Sequence, residues 1–365
     1  MTKQKEKKMA IVQTYDTCHR QMKHLLAEER ITRTRNMAWL QTGMLHSRSV
    51  HLGRIANKIP GKSKKRSRVR RLGRFLANGQ VRVRAWYEPT ARQLLAEAAR
   101  TGQMLRLLID STLVGNGHQL LMVALAYRRR ALPLAWTWVR AKRGHSSGWK
   151  QSALLAYIRQ LIPARAQVVV IGDSEFTPLQ ALLTGWGWYY ALRQKGSHLL
   201  RSHDTAPWQR CDSLVSRPGQ RRWLSQVQLT QKYAHPTNLL AYWKRGEKTP
   251  WLIATNLPCP RQTRRLYSRR MWVDEMFGDF KEHGFDLEAT RLRHFLRLSR
   301  LTLAVALLYV WLLAFGSQTI KQGKRHLVDR ADRRDLSIFR IGLDMFERCV
   351  INGLSFSIRL VPYFL

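Results

Sequence analysis

The chain has 365 residues, 45% of them hydrophobic, so it can bury a substantial core, and its 64 Lys and Arg against 23 Asp and Glu leave a formal charge of +41. Such a chain repels itself unless a polyanion binds; its cations run through the whole length rather than forming one block beside an apolar segment, which favours nucleic acid over a membrane surface or an acidic protein. Cys18, Cys211, Cys259 and Cys349 stand alone with no CxxC spacing, which argues against a zinc knuckle or a disulfide framework and fits a reducing compartment.

The N-terminus carries cations with no apolar segment after them, so no signal peptide is expected. Residues 1–100 read as a helical, basic region, with helices expected near 12–29, 32–52 and 89–100. Between them, residues 54–74 hold ten Lys and Arg and no acid, a natural partner for phosphates. A solvated linker is the other reading, since Pro60, Gly61 and Ser63 let the segment flex. Residues 75–86 return to aromatic and apolar side chains that should pack.

From residue 104 the pattern turns to strands. MLRLLIDSTLV, LLMVALAYRRR and LPLAWTWV read as three antiparallel strands, with a turn at residues 115–117 between the first two. A helix over 148–161 follows, then QVVVIGDSEF, a wholly apolar run ending at Asp173 that suits a strand buried on both faces. Pro178 opens a short helix. WYYALRQKG is the next strand. Residues 198–250 break the rhythm with Pro207, Pro218 and Gly219 and read as a β-rich insertion, after which WLIATNL returns to the sheet. The order predicts a mixed sheet flanked by helices. The apolar run 301–315 is shorter than the roughly 20 residues of a membrane span and reads as a buried helix, and 335–349 as a closing helix.

Two carboxylates end apolar strands, Asp110 and Asp173. Were those strands adjacent, both would project at one edge of the sheet, where ligands bind. A third comes from YSRRMWVDEMFGDFK at 267–281. On a continuous helix, Tyr267, Arg270, Asp274, Gly278 and Lys281 share one stripe about 80° wide, opposite an apolar face of Val273, Met276, Phe277 and Phe280. Surface ion pairs on an amphipathic helix would give the same stripe, and a strand-ending Asp is also a common turn cap. Three acids from distant segments, in a chain suited to a polyanion, point instead to divalent ions working on phosphodiesters. His145 and His283 are lone histidines and are set aside.

IDST at Asp110, VIGDSEF at Asp173, and the spacing of Tyr267, Arg270, Asp274 and Lys281 resemble the DDE transposases of bacterial insertion sequences, within them the group named after insertion sequence four. The resemblance covers about residues 100–320. It implies a ribonuclease H-like core at 101–320 with a β-strand insertion at 198–250, behind a DNA-binding region at 1–100 and before a helical region at 321–365. It further implies that Asp110, Asp173 and Asp274 are catalytic and hold Mg²⁺ or Mn²⁺, two ions in all, and that Tyr267, Arg270 and Lys281 grip the DNA backbone. Terminal repeats and target DNA would be the partners, with a homodimer on DNA, no membrane, and a place in the bacterial cytoplasm at the nucleoid. The family's third acid is Glu; here Asp274 stands there with Glu275 beside it. The shorter side chain loses on the order of 1 Å of reach, and Glu275 is rotated by about 100° from the stripe. A nuclease that cuts without joining and a catalytically inactive DNA-binding protein are the competing readings.

Overall fold

The computed structural model describes residues 3–115, 117–140, 146–230 and 234–364. His145 lies outside them. The chain divides into two compact units, one of residues 1–97, 114–118 and 276–365, the other of residues 98–113 and 119–275.

The first unit is helical. α1 (Lys3–Leu25) pairs with α2 (Ile31–Ser47), followed by the short α3 (Leu52–Ala56), α4 (Lys65–Ala77) and α5 (Val83–Ala99). The basic stretch 54–74 is therefore structured over much of its length rather than a linker, because Leu72, Phe75 and Leu76 recur at helical spacing and are buried. Arg68 fastens α4 to the loop before it, donating to the carbonyls of Ala56 (3.3 Å), Gly61 (2.6 Å) and Ile59. α5 starts earlier than its proline suggests, with Pro89 inside the helix.

α10 (Phe295–Lys321) is the core of this unit. By length and composition it could cross a membrane, but its side chains are buried, and it packs on α2, α4 and α11 (Ile338–Ile351). The helix is longer than the apolar run that marks it. Two glycines let α10 and α11 touch backbone to backbone: a Cβ at Gly342 would collide with the Leu312 carbonyl, and one at Gly316 with that of Ile338. Gly342→Ala is expected to destabilise the chain by about 3 kcal/mol, the upper end for overpacking, because the obstacle is backbone rather than a side chain that can turn away. Thermal unfolding checks this; a change within error would mean the helices part without cost.

The second unit is built on one ten-stranded sheet, ordered β3-β2-β1-β4-β5-β10-β9-β8-β6-β7. The strands are β1 (Leu105–Val114), β2 (His118–Tyr127), β3 (Arg130–Arg140), β4 (Val168–Gly172), β5 (Tyr189–Arg193), β6 (Leu199–Arg201), β7 (Gln209–Arg210), β8 (Arg221–Leu229), β9 (His235–Tyr242) and β10 (Trp251–Thr255). β2 and β3 meet in a two-residue turn, Arg128–Arg129, both with positive φ as a tight hairpin requires. β1 runs parallel to β4 and β4 to β5, whereas β10 is antiparallel to both β5 and β9. Strand β4, VVVIG, is fully buried, as an interior parallel strand should be. The region 198–250 supplies β6 to β9 and continues the same sheet through β10. α6 (Gly148–Arg159) packs on β3 and α7 (Gln180–Gly185) on β5.

The continuous helix that the stripe over residues 267–281 requires is broken into two. α8 (Pro260–Tyr267) stops, and α9 (Met271–Phe280) begins after a three-residue turn. In that turn Arg269 N–H donates to the Leu266 carbonyl (3.1 Å) and Arg270 N–H to that of Tyr267 (2.9 Å), bonds one residue tighter than α-helical ones. The continuous stripe does not exist, so each of its residues has to be placed separately.

Candidate active site

The strand register does what spacing alone could not establish. Ile109 pairs with Gly172 across the parallel β1 and β4, so Asp110 and Asp173, each the next residue, stand at matched positions on neighbouring strands; β4 stops just before Asp173, but β1, expected to end at Asp110, runs on to Val114. Each turns one carboxylate oxygen back onto the following N–H: Ser111 donates to Asp110 Oδ1 at 2.8 Å and Ser174 to Asp173 Oδ1 at 2.8 Å. The capping role weighed for each aspartate is thus real, and each leaves its second oxygen for other work. A small residue at 172 is also required, because a Cβ there would stand 2.9 Å from both Ile109 Cγ2 and Phe176 Cδ2.

Arg270 ties the third acid to the first. Its Nη1 donates to Asp110 Oδ2 at 3.1 Å and its Nη2 lies 3.3 Å from Asp274 Oδ2. Glu275, one residue on, pairs with Arg130 at the start of β3, 3.0 Å away. The two candidate third acids therefore have different partners, and Asp274 is the one that shares a cation with Asp110.

Asp110 is buried, and burial pushes its carboxyl up to about 7 despite Arg270; Asp274 and Asp173 push the same way, against the Ser111 N–H. Burial works against the charge of Arg270 as well, but Asp110, Tyr267, Asp274 and Asp173 more than offset it and hold its pKa above the ordinary value. Tyr267 ends α8 edge-on to Trp251, with ring centroids 5.2 Å apart. Its hydroxyl is buried and finds no hydrogen-bond partner among the described residues, and burial lifts its pKa to about 12. A buried phenol without an acceptor beside a carboxylate pair is a donor held ready for a ligand oxygen.

Among the described residues no three His, Cys, Asp or Glu side chains lie close enough together to hold a metal ion. Arg270 stands between Asp110 and Asp274, so the three expected acids do not meet at one point. The chemistry of the donors still fits a hard cation at the Asp110–Asp173 pair: carboxylate oxygens from matched positions on adjacent strands, one of them buried, whose mutual repulsion a divalent ion relieves. Lys281 is past the end of α9, with its Nζ 2.9 Å from Glu288.

Sequence reasoning missed two features. Glu175, two residues after Asp173, accepts from Ser146 Oγ (2.6 Å) and Ser111 Oγ (3.4 Å), bracing the stretch of β1 that carries Asp110; its only signal is its place in the same motif. The second is a cluster of arginines. Arg106 on β1, Arg265 on α8 and Arg269 in the turn crowd one another, and no carboxylate pairs with them among the described residues. Arg106 Nε and Arg269 Nη1 are buried without acceptors. Burial, Arg106 and Arg265 together push Arg269 down to about 10, and its guanidinium lies 5.5 Å from the Trp272 ring centre. Arg106 precedes Asp110 by four residues, so both face the same side of the sheet about 13 Å apart. Alternation along β1 could have placed Arg106 on the acid face; the two partners on α8 and the turn could not be foreseen.

Arg106 Nη2 donates to Gln103 Oε1 at 2.6 Å, but that neutral amide compensates none of the three charges, and charge without a carboxylate calls for an anion. Replacing Arg265 and Arg269 by Gln is expected to make DNA binding less sensitive to salt, the slope of log K against log salt shrinking by about 0.9 for every phosphate the two arginines neutralise. An unchanged slope would mean that the cluster only packs.

No protein-family profile matches the chain, and no curated protein matches it. Among solved structures it is similar to a piggyBac transposase in a synaptic complex with hairpin DNA, at 13% identity and a TM-score of 0.38, over 98% of this chain and 84% of that one. A likeness at that level leaves fold and function to be argued from the residues themselves.

Proposed function

We propose that this chain is a DDE-type DNA transposase, with a ribonuclease H-like core, that binds the terminal repeats of an insertion element, cuts at its ends and joins them to target DNA. The observation that carries the reading is the pair Asp110 and Asp173, at matched positions along adjacent parallel strands, Asp110 within β1 and Asp173 just past the end of β4, with Asp110 linked through Arg270 to Asp274. The strand order β3-β2-β1-β4-β5, in which β1, β4 and β5 are parallel, supports the core assignment, as does a β-rich insertion placed before the third acid.

In this reading water adds to phosphorus and the bond to the 3′ oxygen breaks, freeing a 3′-hydroxyl that attacks a target phosphodiester in the same manner. Asp110 and Asp173 would hold Mg²⁺ or Mn²⁺, with Asp274 the third acid; two bound ions would supply a cation for the developing charge and acidify the attacking water. The chain's own groups do the positioning. Tyr267 offers its unpaired O–H to a non-bridging oxygen, Arg270 sets a cation against the phosphate, and the arginines at 106, 265 and 269 hold the strand farther along the same sheet face. Lys281 is assigned to DNA backbone. A homodimer on DNA, with no membrane and a place in the cytoplasm, completes the proposal.

One observation favours a second reading. Arg270 already neutralises Asp110 and Asp274, and the third acid is one methylene short, which suits a DNA-binding protein that no longer cuts. The deciding experiment takes the DNA flanking the gene as substrate, with a target plasmid and Mg²⁺. Cleaved ends joined to the plasmid, lost in chelator, are expected. Cleavage without joining would make the chain a nuclease, and binding without cleavage would make it the inactive binder.

A further inference from the structure

The helical unit contains a basic cavity of about 510 Å³, lined among others by His51, Arg54, Lys65, Glu288 and Arg291. We propose that this cavity is a binding site for a phosphate group of nucleic acid, built from different residues than the carboxylate site. Naming nucleic acid as the source rests on the reading above; the chemistry of the cavity does not.

The charges on its walls do not balance. Arg54 Nη1 is spent on Asp286 Oδ2, 3.0 Å away, and Glu288 on Lys281, 2.9 Å away. These pairs cancel. Lys65 and Arg291 are exposed and have no carboxylate within ion-pair distance among the described residues, and Lys65 opens α4, whose first turn carries no acid. Two full cations therefore face the same cavity uncompensated. His51 Nδ1 accepts the Arg54 backbone N–H at 3.3 Å, which places the ring proton on Nε2 and leaves it as a donor. Burial lowers the pKa of this half-buried ring, and Arg291, Arg54 and Lys65 lower it further, so all three cations lie close enough to act on it.

Space is kept for a guest. A Cβ at Gly53 would stand 2.9 Å from His51 Cε1 and 3.8 Å from Lys65 Cε, so a side chain there would wedge between the imidazole and the lysine. The donors come from three separate stretches, at 51–54, 65 and 291, that line one cavity. Tetrahedral phosphate, with oxygens pointing several ways, answers such an arrangement better than a planar carboxylate does. Either an internal phosphodiester of a bound duplex or a terminal phosphate would serve.

The test follows the ring signals of His51 by NMR in the full chain, assigned by their loss in His51→Gln. Inorganic phosphate is titrated first, then short duplexes with either 5′-phosphate or 5′-hydroxyl ends. The His51 signals are expected to shift and saturate. Lys65→Gln with Arg291→Gln should weaken that response by about tenfold or more, whereas Arg291→Lys alone should keep most of it. Both positions are exposed, so folding should survive, and circular dichroism verifies that it does. Equal responses to the two duplexes identify an internal phosphodiester; a response only to the phosphorylated one identifies a terminal phosphate. Silence of His51 toward phosphate and both duplexes overturns the proposal, as does a full response in the double variant. Asp110→Asn should leave the response intact, so failure of the catalytic reading and failure of this one are separable.

Discussion

Asp110→Asn is expected to abolish metal-dependent DNA cleavage and, at the same time, to make the metal-free protein more stable at pH 8. The two effects have one cause. Burial holds the Asp110 carboxyl at about 7 against an ordinary 3.8, so between those pH values the folded chain keeps a proton that the unfolded chain has released. Stability of the metal-free protein therefore falls as pH rises from about 4 to about 7, and a gap of that size amounts to a few kcal/mol. Asn never ionises and escapes the penalty. Losing the ion pair with Arg270 works the other way, but burial is the larger influence on Asp110, and Arg270 retains Asp274. Cleavage should drop by on the order of a thousandfold, since a neutral amide is a poor ligand for a hard cation. Thermal unfolding at pH 5 and pH 8, with a plasmid-nicking assay alongside, reads both effects. A variant that melts lower than the parent at pH 8 would mean that Asp110 serves mainly to hold Arg270.

The second large effect separates neighbours. Asp274→Asn should reduce cleavage by about a hundredfold, the scale of a misplacement near 1 Å, and Glu275→Gln by no more than a few-fold. Asp274 shares Arg270 with Asp110, whereas Glu275 is largely exposed and paired with Arg130. Asn and Gln keep shape while removing charge, so the comparison reports on the carboxylates rather than on packing. Asp274→Glu, which restores the missing methylene, should keep or raise the rate. The reverse ranking, with Glu275→Gln inactive and Asp274→Asn mild, would assign the third acid to Glu275.

Much of the sheet was legible because its strands are unbroken apolar runs punctuated by Asp, Gly and Pro. The lone buried run at β4 resolved into a strand for that reason, whereas the 198–250 region, whose β8 reads RRWLSQVQL, showed itself through its Pro and Gly breaks. Register was not legible: that Asp110 and Asp173 stand side by side depends on how β1 slides against β4, which no local pattern encodes. The break at 268–270 was hidden as well, because Tyr267 and Arg270 keep helical spacing across it and the wheel draws a stripe whether or not the helix continues. In the opposite direction, the many arginines of α4 mask Leu72, Phe75 and Leu76, whose spacing suits a core.

The central place of β10 sets an order in time. It is the last strand made, yet it lies between β5 and β9 and joins the two halves of the sheet. While the chain is being synthesised, β1, β4 and β5 can already pair and bring Asp110 beside Asp173. The strands 199–242 then wait without their link to that core until residues 251–255 have emerged. Asp274 lies beyond β10 and α8, so at translation rates of about 5 to 20 residues per second it joins about a second or more after the last strand has been made. A nascent chain that stalls after β5 and before Arg270 holds Asp110 and Asp173 without the cation that links Asp110 to Asp274, so the carboxylate pair is assembled before its bridge.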